Sequence, residues 1–353
     1  MKILEVMAGA EHGGAETAFV DMCVAFAKAG QEIEVVTRDN DSRVPALEKE
    51  GLRVHKLPFG GRMDFYTPWR MKKIIREFRP DIVQTWMARA AAKTPKWAKG
   101  GGIGRYLIVS RLGGYYNIKY FKNADYFTTI TPDIRRHLMD HGVAGERVLH
   151  INNFADVEAV KNPVRRADLA TSENAPVVLA LGRLHPSKAF DTLIKVAAQM
   201  EGVYFWIAGE GPQRAELEKL IADLNVGARV KLLGWREDRA ALLQAANICV
   251  FPSRYEPFGT VFVQAWAQKI PLVTTNADGP RQFVRDGEDG LVVEIDNVEQ
   301  MRAAIVKIID DKALAARLVQ NGYGRYLGEF TKEKTVLAYL DYFREIRARE
   351  KVV

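Results

Sequence analysis

The sequence predicts an α/β protein built as two doubly wound, Rossmann-like halves, and three observations carry that expectation. A length of 353 residues exceeds what one ordinary core needs and fits two domains. Short β-rich runs alternate with longer segments whose apolar residues recur at helical spacing, the pattern of a parallel sheet covered on both faces. After a polar, proline-containing stretch at residues 152–175 the alternation starts afresh.

In the first half KILEVMA (2–8), EIEVVTR (32–38), DIVQTWM (81–87), YLIVSRL (106–112) and YFTTIT (126–131) read as strands, because β-branched and aromatic residues dominate them. AETAFVDMCVAFAKAG (15–30) carries apolar residues at helical spacing and stops at Gly30. TPWRMKKIIREFRPD (67–81) is expected to bury Trp69, Ile74, Ile75 and Phe78 and to turn its bases to water. The second half offers PVVLALGRL (176–184), VYFWIAGEG (203–211), RVKLLGW (229–235), ICVFPS (248–253) and PLVTTN (271–276) as strands. Helices are expected at 189–200, 212–225, 237–246, 259–268, 297–310 and 331–350. The domains are therefore drawn at residues 1–160 and 161–330, with a terminal helix in 331–353 that packs back on the first half.

Composition narrows the function. Cys23 and Cys249 lie far apart in apolar surroundings, so they read as buried thiols of a reducing compartment, and the six histidines show no metal-ligand spacing. The opening MKILEVMAGA imitates a signal peptide, but Glu5 interrupts it and a first buried strand is expected instead. No apolar run is long enough to span a bilayer, so a soluble or peripheral protein is expected. The net charge of +7 is uneven: residues 1–166 hold 27 Lys and Arg against 19 Asp and Glu, and residues 62–136 hold 16 against 5. Such a half suits an anionic partner.

Four stretches beyond strand ends carry candidate chemistry. AGAEHGGAE (8–16) sets Gly13 and Gly14 at a helix start, where they serve either a ligand approaching the backbone or a tight turn. In LGRLHPSKAFDTLI (181–194), Arg183 and Lys188 stand five residues apart across a Pro-Ser turn. They are either solvated bases or two cations converging on a diphosphate, and their place at a strand's carboxyl end favours the second. GEGPQRAELE (209–218) puts Gly209 and Gly211 in a packing turn with phosphate contact as the alternative. RYEPFGTVFVQAW (254–266) places Glu256 just before a helix start, where it either caps the helix or accepts from ligand hydroxyls. The amides of Phe258, Gly259 and Thr260 then face an anion, and Gln264 follows about two turns beyond Glu256 on roughly the same face. Hydroxyls combined with phosphate describe a nucleotide-diphospho-sugar.

Taken in order, the GGAE loop, the G-R-L-x-x-x-K turn, the GEGP turn and the E-P-F-G segment resemble the family-4 retaining glycosyltransferases of the GT-B fold, over essentially the whole chain. AEHGGAETAFV and LGGYYNIKYFKNADY look most like bacterial members that extend lipopolysaccharide or exopolysaccharide. The resemblance implies two Rossmann-like domains facing across a cleft, a nucleotide-sugar donor with UDP first and GDP second, and no metal or other cofactor. It places Gly13 and Gly14 against the donor and sets Arg183 and Lys188 on the diphosphate. Glu256 would hold a sugar hydroxyl and the Phe258–Thr260 amides the β-phosphate. The family's second glutamate, on the ribose, is Gln264 here, a neutral but still competent partner. A histidine that many relatives carry after the fourth strand is missing from SRLGGYY (110–116), leaving Arg111, Gly113 and Gly114 there, with His12 as a nearby substitute or a plain loop residue. Basic and aromatic residues interleave in the loop 93–105, so Lys93, Lys96, Trp97, Lys99 and Arg105, with Arg111, are assigned to a lipid-linked or phosphorylated glycan acceptor and an anionic membrane surface. The implied location is the inner face of the cytoplasmic membrane, and nucleic acid is excluded because no recognition motif accompanies the charge. Two rivals remain: a nucleotide-sugar 2-epimerase, and a non-catalytic glycosyltransferase relative that partners an active enzyme at the membrane.

Overall fold

A computed structural model describes residues 1–11, 13–100, 104–155 and 160–351. The chain forms two compact units, divided between Asn153 and Phe154, and the segment from Lys332 onward returns to the first.

The first unit runs β1 (Lys2–Met7), α1 (Gly14–Lys28), β2 (Glu32–Thr37), α2 (Arg43–Lys49), β3 (Arg53–Lys56), α3 (Tyr66–Phe78), β4 (Ile82–Trp86), α4 (Met87–Lys93), β5 (Leu107–Leu112), β6 (Tyr126–Thr129), α5 (Pro132–Asp140) and β7 (Val148–His150). All seven strands are parallel in the order β3-β2-β1-β4-β5-β6-β7, so the order reverses between β1 and β4. The central strands are buried on both faces, which is why each reads as a near-continuous apolar run. Phe19 of α1 meets Trp86 edge-on at 5.3 Å and closes one face.

In α3 the buried residues are Thr67, Met71, Ile74, Ile75 and Phe78. Trp69 is not among them. It is 60% exposed, against the expectation, because it lies two positions from Met71 and so nearly opposite the buried stripe. The strand expected over 81–87 also stops one residue early: Met87 takes a left-handed φ of 65° and opens α4.

The second unit runs β8 (Val177–Leu181), α6 (Phe190–Ala198), β9 (Tyr204–Ala208), α7 (Arg214–Asp223), β10 (Val230–Leu232), α8 (Arg239–Ala245), β11 (Ile248–Phe251), α9 (Thr260–Ala267), β12 (Leu272–Thr275), α10 (Pro280–Phe283), β13 (Leu291–Val293), α11 (Val298–Asp310) and α12 (Lys312–Arg325). Its parallel sheet has the order β10-β9-β8-β11-β12-β13 and reverses between β8 and β11. Phe258, Phe262, Trp266, Phe283 and Phe330 form one aromatic cluster, with Phe262 stacked on Phe283 at 5.6 Å. Trp266 Nε1 also donates to the Asp289 carbonyl at 2.8 Å. These contacts fix α9 by its apolar face and leave Thr260, Val261 and Gln264 off the core.

The C-terminal helix α13 (Lys332–Arg349) completes the first unit. Tyr339 meets Phe26 of α1 edge-on at 5.8 Å, Tyr342 Oη donates to the Arg147 carbonyl at 3.2 Å, and Arg347 pairs with Asp81 at 2.8 Å.

Candidate active site

In an open parallel sheet, ligands sit beyond the carboxyl ends of the strands where the strand order reverses. In the second unit that point is the β8/β11 junction, and the loops leaving it are 182–189 and 252–259. Arg254 ties them together. Its guanidinium donates to both carboxylate oxygens of Asp191 at 2.9 and 2.7 Å, to Asp296 at 2.7 Å, to the Pro186 carbonyl at 2.8 Å and to Thr192 Oγ1 at 3.2 Å. Its backbone N–H adds a bond to the Ser187 carbonyl at 2.8 Å. The hydrogen bonds that Arg254 donates to these two carboxylates push its pKa further up, and Arg254 in turn holds Asp296 below its ordinary value.

The consequence of this clamp is a juxtaposition. Lys188, at the end of one loop, forms a half-buried ion pair with Glu256 on the other. The Lys188 ammonium also stands 5.6 Å from the centre of the Phe251 ring. Gly259 permits the approach: its φ is 89°, and a Cβ there would lie 2.7 Å from Phe251 Cζ and 3.0 Å from Glu256 Cγ. Among the described residues the N–H groups of Phe258, Gly259 and Thr260 donate to no protein acceptor, as the first turn of a helix leaves them. Thr260 and Gln264 share the open face of α9 one turn apart, and the Gln264 side chain is half-buried with no hydrogen bond among the described residues. Arg183 is exposed on the β8 loop and its guanidinium is likewise unengaged among those residues.

Gly209 and Gly211 have a packing reason. A Cβ on Gly209 would be driven into the Gly182 carbonyl, and one on Gly211 would lie 2.8 Å from the Leu184 nitrogen. The two loops are laced by Gly182 N–H to the Ala208 carbonyl at 3.0 Å and Leu184 N–H to that of Glu210 at 2.9 Å.

In the first unit the loop after β1 closes on itself. Glu16 accepts from Ala10 N–H at 2.7 Å, Arg43 donates to the Ala10 carbonyl at 3.0 Å and Arg38 to that of Gly9 at 3.3 Å. A Cβ at Gly13 would collide with the Glu16 carboxylate, whereas nothing lies within 4 Å of one at Gly14. A Cβ at the first position would have to displace the end of the Glu16 side chain from its bond with Ala10 N–H, whereas one at the second would meet nothing. His12 lies outside the described residues.

The acceptor assignments of this unit need correction. Arg111 is buried, 4% exposed, with its guanidinium 3.9 Å from the Trp86 ring and bonded to Asn153, so it faces no membrane. Lys93 is consumed by the Gly61 and Asp64 carbonyls at 2.9 and 2.7 Å. Arg105 pairs with Glu350 and covers the half-buried Trp97 ring at 5.7 Å. Lys96 and Lys99 are exposed, and residues 101–103 of that loop lie outside the described residues.

Residues 12–159 match the family described as Glycosyltransferase Family 4, and residues 162–325 match Glycosyl transferases group 1. The lipopolysaccharide core biosynthesis glycosyltransferase LpsE of Rhizobium meliloti (strain 1021) is 36% identical over 331 residues, covering 93% of this chain and 95% of its own. The chain belongs to the family-4 glycosyltransferases. LpsD of the same organism, also named a lipopolysaccharide core biosynthesis glycosyltransferase, is 32% identical over 97% of this chain and 98% of its own. Among solved structures, HepE of Anabaena in complex with UDP and glucose superposes with a TM-score of 0.83 at 21% identity, covering 98% of this chain and all of that one. That likeness shows the fold, GT-B.

For this glycosyltransferase the missed residues are Arg254, Asp191 and Asp296. Their only signal in the sequence was position: each stands at or just beyond a carboxyl strand end or at a helix start, where an unpaired charge has no packing reason.

Proposed function

We propose that this glycosyltransferase is a retaining hexosyltransferase that moves a sugar from a UDP-sugar to a lipid-linked glycan of lipopolysaccharide synthesis, peripherally bound at the inner face of the cytoplasmic membrane. The observation that carries the reading is the Lys188–Glu256 pair, held at the β8/β11 reversal by Arg254. UDP is supported by the HepE complex, and the acceptor class by the names of the two Rhizobium relatives.

The chemistry follows from where charge develops. As the acceptor hydroxyl attacks the anomeric carbon and the bond to the β-phosphate breaks, negative charge grows on the leaving diphosphate, which takes the acceptor's proton. Arg183, Lys188 and the free amides of Phe258–Thr260 stabilise that charge without a metal. Glu256 accepts from a hydroxyl of the transferred sugar and keeps the Lys188 ammonium in place. Gly14 leaves room for the donor beside the first helix, and Gln264 bonds the ribose.

The test is transfer with purified protein, a panel of UDP- and GDP-sugars and a lipopolysaccharide-core acceptor, in the presence of a chelator. Release of UDP that requires acceptor, with the anomeric configuration kept in the product, is the expected outcome. Lys188→Ala and Glu256→Ala are each expected to abolish it with an unchanged circular dichroism spectrum. UDP release without acceptor, or an inverted product, overturns the reading.

A further inference from the structure

The loop between β3 and α3 and the first turn of that helix expose four large apolar side chains. Met63 is 85% exposed, Phe65 79%, Trp69 60% and Tyr66 53%. No other run of seven described residues exposes more than two such side chains. The display is rigid. Arg38 donates to the Pro58 and Phe59 carbonyls at 3.0 and 2.6 Å, and Lys93 grips the Gly61 and Asp64 carbonyls. Asp64 turns inward and accepts from Gly60 N–H at 2.8 Å and Thr67 N–H at 2.9 Å. Three side chains and two amides thus serve to hold apolar groups in water, a cost that packing alone would have removed by folding them under.

Charge surrounds the patch. Arg62, Lys72 and Lys73 are exposed, and the Arg70 guanidinium stands 6.0 Å from the Trp69 ring. Of the nearby acids, Asp64 is spent inside the loop and Glu77 pairs with Lys73 at 3.8 Å.

We propose that the rim formed by Met63, Phe65, Tyr66 and Trp69 with Arg62 and Arg70 is the surface by which this chain docks on an anionic phospholipid bilayer. Met63 and Phe65 enter the headgroup boundary, Trp69 and Tyr66 sit at its level, and the bases meet the phosphates. The proposal deepens the reading of a lipid-linked acceptor and rests on it. A soluble glycan would use the rings but has no use for Met63. A second copy would set one cationic rim against another. Arg38 also donates to the carbonyl of Gly9 and so links this loop to the turn that follows β1.

The experiment is co-sedimentation of the whole chain with phosphatidylglycerol–phosphatidylcholine vesicles against phosphatidylcholine alone, with UDP-induced thermal shift measured separately without lipid. The wild type is expected to prefer the anionic vesicles. Phe65→Ser/Trp69→Ser is expected to lower partition about tenfold or more, Arg62→Glu/Arg70→Glu to remove the preference, and Lys96→Glu/Lys99→Glu to change neither. All four proteins are expected to keep the UDP shift, so loss of that shift with partition intact would count against the donor reading and support this one. Equal binding to neutral and anionic vesicles, wild-type partition by Phe65→Ser/Trp69→Ser, or loss of partition in Lys96→Glu/Lys99→Glu overturns the proposal. So does a concentration-dependent dimer that Phe65→Ser/Trp69→Ser dissolves, which would make a second copy the partner.

Discussion

Replacing Arg254 by alanine removes the clamp without touching the two residues it positions. Five side-chain hydrogen bonds go, three of them to carboxylates at 2.7–2.9 Å. Bonds to charged groups contribute roughly 1.5–3 kcal/mol each. The Arg254 side chain is 30% exposed and that of Asp296 44%, so solvent screening brings the total down to about 2–3 kcal/mol. The functional loss is expected to be larger in kind. With the clamp gone, loops 182–189 and 252–259 are joined at this point by backbone bonds to Ser187 at 2.8 and 3.3 Å and by the Lys188–Glu256 pair itself. A misplacement of about 1 Å between such groups costs on the order of a hundredfold in rate. Urea melts, turnover with the donor found above and nucleotide titration separate the effects: kcat falls about a hundredfold, while nucleotide affinity changes less. The pH dependence has a sign. Arg254 lowers the Asp296 pKa, so the stability it lends is present above the unfolded carboxylate pKa of about 3.9 and is lost as pH falls through the folded value. The stability gap between wild type and variant is therefore full at neutral pH and closes in acid. Arg254→Lys, which lacks the planar fork, should recover only part of the rate. A variant that loses stability on this scale but keeps wild-type kcat would refute the positioning role.

Gly209→Ala is expected to destabilise the second unit by about 1–3 kcal/mol, read as a lower urea midpoint, because its methyl has the Gly182 carbonyl in its place. Glu5 is fully buried, and desolvation lifts its pKa from 4.5 to about 8 against the pull of the Trp86 N–H and Arg111. A folded pKa above the unfolded one means the wild type loses stability as pH rises across that window; Glu5→Gln should flatten the slope in a pH series of denaturant midpoints and be the more stable protein at pH 8 and above. Gln264→Glu is expected to tighten nucleotide binding by about fivefold in calorimetry, the difference between a neutral and a charge-assisted bond to ribose.

What the sequence made legible was what its period could encode. The central strands β8 and β11 are unbroken apolar runs, β1 and β4 are largely apolar, and the helices α6, α9 and α11 keep their stripe in phase, so these elements fall within one to three residues of expectation. The edge strands β3 and β7 escaped because each is three or four residues long, and in β3, RVHK, no residue is fully buried. α4, MARAAAK, escaped because it follows β4 with no turn residue between, Met87 bending in a conformation that glycine usually takes. In the site, Lys188 and Glu256 were visible singly as polar residues at strand ends, but their pairing was not, since the groups that force it lie 63 and 42 residues from Arg254. Trp69 shows the converse. Residues 71, 74, 75 and 78 form one stripe, and at about 100° per residue position 69 lies some 200° from the first of them. Its apolarity drew it into the buried face; its phase placed it outside. An apolar residue out of phase with its own helix has no core to explain it, and here it stands beside Met63 and Phe65 on a loop that Arg38, Lys93 and Asp64 hold open to solvent.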